Sequence, residues 1–388
     1  MSRRIGDIEV LRAFAVLMVM FQHINGVLTA YNAPTLPWPL THLGGGFGVD
    51  VFFVISGYVI ARGLLPKLPA SSTWSRSWPI IKAFWIRRFW RLIPSAWLWL
   101  AILMLLAWLF NESGAFGTVS ANLDATLAGL FNVANARFAV CFKHCEFSAS
   151  FVYWSLSLEE QFYLLLPLLV FLGRSALPCV LLALVLLQWV IPRDIWMMVF
   201  RTDALLLGVL LAMFGDSLSR SARPVRWLET RWVASAWLIL VVGTLLYLGS
   251  PTRGEFSYEV GAAAVLSLSL VWIASWDKDL FFRSPGLRLV LLWLGSRSYA
   301  IYLIHVPVYL CIRELQYRLV GNGDTASSLY LAIALPIAWL LIGVLAEANF
   351  RFVEFPLRRV GIRLTSGARD LSTRSRPPLR AAEPTSNS

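Results

Sequence analysis

The chain is short of charge. Only 14% of its 388 residues are Asp, Glu, Lys or Arg, where an average soluble domain carries about 25%. Cysteine is scarce as well: Cys141, Cys145, Cys179 and Cys311 are the four, and their spacing supports no metal or zinc site. There is no internal repeat, no Gly-rich phosphate loop and no soluble segment large enough to fold alone. The low charge excludes a soluble globular enzyme, and the missing repeat removes the usual mark of a secondary transporter. What is present is oil: 58% apolar residues, 18 Trp and 24 Phe, with a mean hydropathy of +0.66. So much apolar surface cannot be hidden inside a ball of this size and must face lipid.

Apolar runs near 8–30, 46–66, 84–110, 152–173, 176–192, 195–214, 232–249, 258–276, 289–312 and 328–355 predict about ten transmembrane helices. The fold class is therefore all-α and polytopic, with an interior polar cavity. The net charge is +12. With the N-terminus inside, the inner segments hold 22 Lys and Arg against six in the outer loops. The positive-inside rule then puts both termini in the cytoplasm, and the basic excess is read as topology, not as nucleic-acid binding. Span 1 is expected to be retained, because Arg12 and His23 interrupt it and no small-x-small cleavage site follows. Residues 1–363 form the membrane domain and 364–388 a disordered cytoplasmic tail. Cys141 and Cys145 share the long outer loop as either a disulfide or two thiols, whereas Cys179 and Cys311 are expected in the core.

Chemistry has to come from polar residues that persist in the apolar runs, since an ionisable group at a span's centre costs about 2.5–3.5 kcal/mol. Some are expected to pair structurally: Arg201 or Asp203 with a neighbouring span, and Arg351 with Glu354 three residues on. Arg12 and His23 differ. Eleven residues place them about 16 Å apart on nearly one helix face. Arg87, Arg88 and Arg91 cluster at the inner mouth of span 3, where they suit either bidentate phosphate capture or anchoring to headgroups.

These residues carry a resemblance. The series comprises Arg12 with His23, the run Gly45-Gly46-Phe47-Gly48-Val49-Asp50-Val51-Phe52-Phe53-Val54-Ile55-Ser56-Gly57-Tyr58, Arg87-Arg88-Phe89-Trp90-Arg91-Leu92-Ile93-Pro94, Trp154-Ser155-Leu156-Ser157-Leu158-Glu159-Glu160-Gln161-Phe162-Tyr163, Arg201-Thr202-Asp203 with Gly208, Ser298-Tyr299-Ala300-Ile301-Tyr302-Leu303-Ile304-His305, and Glu354-Phe355-Pro356. It is similar to the acyltransferase 3 family of integral-membrane O-acyltransferases. The resemblance implies a protein of the bacterial inner membrane. Its donor would be cytoplasmic acyl-CoA, with acetyl-CoA expected, and its acceptor a hydroxyl of an extracytoplasmic glycan or lipid-linked saccharide. It implies that His23 is the catalytic residue, either as the base that deprotonates the acceptor hydroxyl or as the group that itself accepts the acyl group before passing it on, and that Arg88 and Arg91, helped by Arg87 and Arg12, bind the coenzyme. Some members carry an extra outer domain; here the membrane domain is expected to finish the reaction itself.

A histidine base needs an orienting group. Asp50 is the first candidate and Glu159 and Glu160 the second, with His305 in reserve because Tyr299, Tyr302 and His305 share a helix face. That face is otherwise read as substrate-binding or as simple packing. Gly44, Gly45, Gly46 and Gly48 suggest either a flexible mouth for the sugar or a plain hairpin. Membrane lipid is the expected surround, a homo-oligomer is compatible with the sequence, and a transporter of an anionic solute is the alternative function.

Overall fold

A computed structural model describes residues 5–29, 36–69, 74–142, 144–169, 176–192, 194–221, 228–252, 258–282, 284–321 and 327–366. The expected tail beyond residue 366 lies outside them. Every apolar run contains helix over its described residues, and the described residues contain no strand. In chain order the α-helices are α1 (Gly6–Gln22), α2 (Trp38–His42), α3 (Gly48–Leu64), α4 (Trp74–Leu109), α5 (Val119–Leu130), α6 (Ala134–Cys141), α7 (Tyr153–Leu169), α8 (Leu177–Val190), α9 (Asp203–Ser221), α10 (Arg231–Leu248), α11 (Glu259–Ala274), α12 (Pro285–Ser296), α13 (Ser298–Val320), α14 (Ser328–Asn349) and α15 (Phe355–Leu364). The protein is a multi-pass membrane protein. Among the described residues, five helical stretches are long and apolar enough to cross a bilayer, or six if α12 and α13 count as one bent crossing. Length and composition alone thus give fewer crossings than ten.

Two of the expected spans are interrupted. The run 289–312 breaks at Arg297, where α12 and α13 meet at 76°. The run 8–30 ends as an α-helix at Gln22, because Asn25 leaves helical geometry and Gly26 takes φ +90°, a left-handed conformation that costs glycine no Cβ clash. His23 is therefore a helix-terminal residue, not a mid-helix one.

The bundle is built around α1. Val10, Leu11, Ala13, Ala15 and Val16 have no exposed surface. Its first turn carries Asp7 and Glu9, favourable at the positive end of the helix dipole. The buried Asp7 carboxylate accepts the Leu280 and Phe281 backbone N–H groups at 2.7 and 3.3 Å and pairs with Arg288 at 3.1 Å, fixing the start of α1 against the approach to α12.

Glycines set the closest helix approaches. A Cβ on Gly57 would stand 2.0 Å from the Leu205 carbonyl oxygen, and one on Gly208 would stand 2.2 Å from that of Val54, so α3 and α9 cross backbone to backbone. Gly45 answers the same need, since a Cβ there would stand 1.7 Å from the Met18 carbonyl oxygen. Of the two readings of this segment, the structure favours a tightly packed hairpin over a flexible mouth.

Cys141 and Cys145 are disulfide-bonded. Cys179 is exposed, a correction to its expected place in the core.

Candidate functional site

Five helices contribute to one cavity of about 640 Å³. Its cationic end is Arg12 of α1 with Arg88 and Arg91 of α4. At 36 residues, α4 is about 54 Å long, well beyond a hydrocarbon core of about 30 Å. Its first half can therefore carry three arginines outside or at the edge of the oil while its second half crosses. Residues 88 and 91 lie on adjoining turns of one face, and both reach the cavity. Arg88 is held by stacking over the Tyr163 ring at 4.9 Å, and Arg12 pairs with Glu9 at 3.3 Å. Arg87 points elsewhere on the helix: it donates to Thr365 Oγ1 at 3.1 Å, tying α4 to the end of α15.

The middle of the cavity is a polar knot. Glu159 Oε1 accepts hydrogen bonds from Ser56 Oγ and Tyr163 OH. Glu160 does not line the cavity, although Glu159, Arg88 and Arg91 all act on it electrostatically. Of the two glutamates, Glu159 is therefore the one that faces inward, bound to hydroxyls.

Tyr299 stands beside the arginines, and Tyr302, one turn on, closes the far end. Tyr299 OH donates to the Leu92 carbonyl at 2.7 Å. Tyr302 OH donates to the Val152 carbonyl at 2.9 Å and accepts from Ser155 Oγ at 2.6 Å. One turn beyond Tyr302 is His305, fully buried, and against it stands His23, half-buried. His23 does not line the cavity; Tyr302 and Ser155 form the layer between the arginine end and the histidine pair. The cavity that holds the arginines thus reaches Tyr302 and Ser155, and the histidine pair lies beyond them.

The partner of His23 is His305, at 3.0 Å between His23 Nδ1 and His305 Nε2. His305 Nδ1 lies 2.7 Å from the Tyr302 carbonyl and 3.3 Å from that of Ile301. A carbonyl oxygen only accepts, so Nδ1 carries the proton and Nε2 of the neutral ring presents a lone pair. His23 must then donate from Nδ1, which leaves His23 Nε2 as its basic nitrogen. Phe151 meets the His23 ring edge-on at 5.2 Å.

Asp50, the first candidate for orienting His23, is elsewhere. It is fully buried and ion-paired with Arg201, whose guanidinium also lies over the Phe47 and Trp154 rings at 5.7 and 5.9 Å. The pair joins α3 to the segment entering α9, as expected for Arg201. Asp203 likewise reaches a neighbouring helix, accepting from Trp189 Nε1 at 3.1 Å. Arg351 does not pair with Glu354: it meets Glu347 at 2.5 Å, which also binds Arg297 at 2.9 Å, while Glu354 accepts from Asn349 at 2.9 Å. Four residues, not three, separate Arg351 from its true partner, and the bend at Arg297 brings a second cation to the same carboxylate.

Ser56, Ser155 and Tyr163 were not among the sequence candidates. Ser56 carried a readable signal, the one serine inside the apolar run of α3. Among the described residues no group of three His, Cys, Asp or Glu side chains could hold a metal ion.

No solved structure matches the chain. The peptidoglycan O-acetyltransferase OatA of Listeria monocytogenes is 30% identical over 397 residues, covering 92% of this chain and 56% of that protein. YrhL of Bacillus subtilis is 30% identical over 399 residues, covering 93% of this chain and 56% of its own length. The chain thus spans little more than half the length of these relatives. Residues 5–346 match the family described as an acyltransferase domain. On that match, which covers the helices bearing His23, the α4 arginines and His305, the chain belongs to the acyltransferase 3 family.

Proposed function

We propose that the protein is a membrane O-acetyltransferase that takes an acetyl group from cytoplasmic acetyl-CoA and transfers it to a hydroxyl of an extracytoplasmic glycan. The family match and the O-acetyltransferase name of the Listeria relative support the reaction class and the acceptor class. The protein sits in the inner membrane of a bacterium with both termini in the cytoplasm, and residues 1–363 act as one membrane domain. This orientation rests on the excess of inner-side Lys and Arg.

The observation that carries the reading is the order of groups along the bundle: three arginines at one end of a cavity, then a hydroxyl-rich middle, then a histidine pair behind Tyr302. Arg12, Arg88 and Arg91 hold the coenzyme phosphates by charge-assisted hydrogen bonds. The flexible pantetheine arm lies along the cavity past Ser56 and Glu159. Displacing the Tyr302 and Ser155 layer lets the thioester reach His23. His23 Nε2 then removes the proton from the acceptor hydroxyl as its oxygen attacks the thioester carbonyl. The C–S bond breaks, and the coenzyme thiolate takes the proton back from the imidazolium. His305 holds His23 in the tautomer this needs.

The test is acetyl transfer to envelope glycans in cells making equal amounts of each protein. His23→Ala and the double variant Arg88→Ala/Arg91→Ala are both expected to abolish product. Product at the wild-type level in either variant would overturn the reading.

A further inference from the structure

Arg88 and Arg91 are shared walls. Besides the cavity just described, Arg91 borders two further openings at the same end of the bundle. One, of about 500 Å³, brings Arg12, Arg91 and Arg358 together with the carboxylates of Glu9 and Glu354. The other, of about 930 Å³, brings Arg87, Arg88 and Arg91 together with Lys67 and Arg358, and among the described residues no Asp or Glu lines it. These cations come from three separate elements: the turn that ends α3, the first half of α4, and α15. Such convergence is no consequence of one basic helix face. Helix α15 is pressed onto α4 closely enough that a Cβ on Gly361 would stand 2.9 Å from Trp90. Arg87 clamps the end of the same helix through Thr365. The position of Arg358 is therefore fixed by packing. Arg12, Arg88 and Arg358 also act on Arg91 electrostatically, so their charges sum in one place.

A dianionic phosphate and a diphosphate entering from this end would meet carboxylates in the smaller opening and only cations in the larger one. We propose that the opening between α3, α4 and α15 binds the 3′-phosphoadenosine diphosphate end of the coenzyme, with Lys67 and Arg358 as phosphate ligands additional to the α4 arginines. Arg88 and Arg91 then stand at the junction, and the pantetheine arm passes between them into the hydroxyl-lined cavity. Five cations exceed what a diphosphate alone requires, and the site accordingly discriminates in favour of the ribose 3′-phosphate. This inference rests on acyl-CoA being the donor.

The test is calorimetric titration of the purified full-length protein in lipid nanodiscs with CoA, dephospho-CoA and 3′,5′-ADP. Wild-type protein is expected to bind CoA and 3′,5′-ADP at least tenfold more tightly than dephospho-CoA. Lys67→Gln and Arg358→Gln are each expected to weaken CoA binding on the order of tenfold and to narrow that preference. Arg358→Lys should recover part of it. Arg359→Gln removes a neighbouring cation that stacks on Phe355 at 4.2 Å and lines neither opening, and should leave affinity unchanged. Wild-type protein that does not distinguish CoA from dephospho-CoA overturns the proposal without needing any variant to fold. Unchanged affinity in both glutamine variants, or an equal loss in Arg359→Gln, also overturns it while leaving acyl-CoA as donor. Wild-type protein that binds no CoA overturns the donor reading itself.

Discussion

His305 Nε2 lies 3.0 Å from His23 Nδ1, joining side chains 282 positions apart. Because the other nitrogen of His305 faces main-chain carbonyls, the direction of both hydrogen bonds is set, and the basic nitrogen of His23 is Nε2. The neutral second ring plays the part a carboxylate plays in many histidine sites, without placing a negative charge in a low-dielectric interior.

Removing each ring should therefore have different effects. His23→Ala deletes the base and should lower transfer on the order of 10²–10⁴-fold. His305→Ala leaves the base and removes its orientation, so a smaller loss is expected, of about 10–100-fold. In both variants CoA affinity should stay within a few-fold of wild type. Turnover measured beside CoA binding checks the order, and a larger loss in His305→Ala than in His23→Ala would contradict it.

The buried Asp50–Arg201 pair predicts a stability phenotype. Asp50→Ala leaves a guanidinium uncompensated among Phe47 and Trp154 and should cost about 3–5 kcal/mol. The double variant Asp50→Leu/Arg201→Met should recover most of it. Thermal unfolding in detergent reads the stability, and acetyl transfer per folded molecule should stay within a few-fold of wild type. Lost activity at full stability would return Asp50 to the reaction.

The α3–α9 crossing makes a third prediction. In Gly208→Ala the added methyl meets the Val54 carbonyl oxygen and the Tyr58 backbone nitrogen, neither of which can swing aside, so the helices must separate. A loss of about 1–3 kcal/mol or more is expected. Gly63→Ala, in the same helix as Gly57 with nothing within 4 Å of its Cβ, is the control and should unfold with wild type.

Tyr302→Phe tests the layer between cavity and histidines. It keeps the ring against His305 but removes the hydroxyl that bonds Val152 and Ser155. If this layer must open during turnover, the variant should alter the rate of transfer while leaving CoA affinity unchanged. Pre-steady-state release of the CoA thiol measures it, and an unchanged rate would show that the hydroxyl does not control opening.

Hydropathy located the long apolar helices, because a span's length and oil content are local properties, but gave no sign of α2, α5, α6 or most of α15. Arg12, Arg88 and Arg91 were legible for a similar reason: three cations spaced on helix faces in apolar sequence need a polar cavity. The partnership of His23 with His305, and of Asp50 with Arg201, could not be read from spacing, since each joins residues more than 150 positions apart. The end of α1 at Gln22 had a local mark in Asn25-Gly26, a turn-forming pair that the long apolar run obscured. The 76° bend at Arg297 had no comparable mark. It became visible only with Glu347 between Arg297 and Arg351.

The most direct test of the account is acetyl-CoA binding and turnover measured together in inverted membrane vesicles, for wild type, His23→Ala and Arg88→Ala/Arg91→Ala. A cationic grip and a distant base serving one reaction predict that His23→Ala binds acetyl-CoA as wild type does but releases no CoA thiol, while the arginine variant loses binding and turnover together. Thiol release at the wild-type rate by His23→Ala, or wild-type binding by the arginine variant, would contradict it.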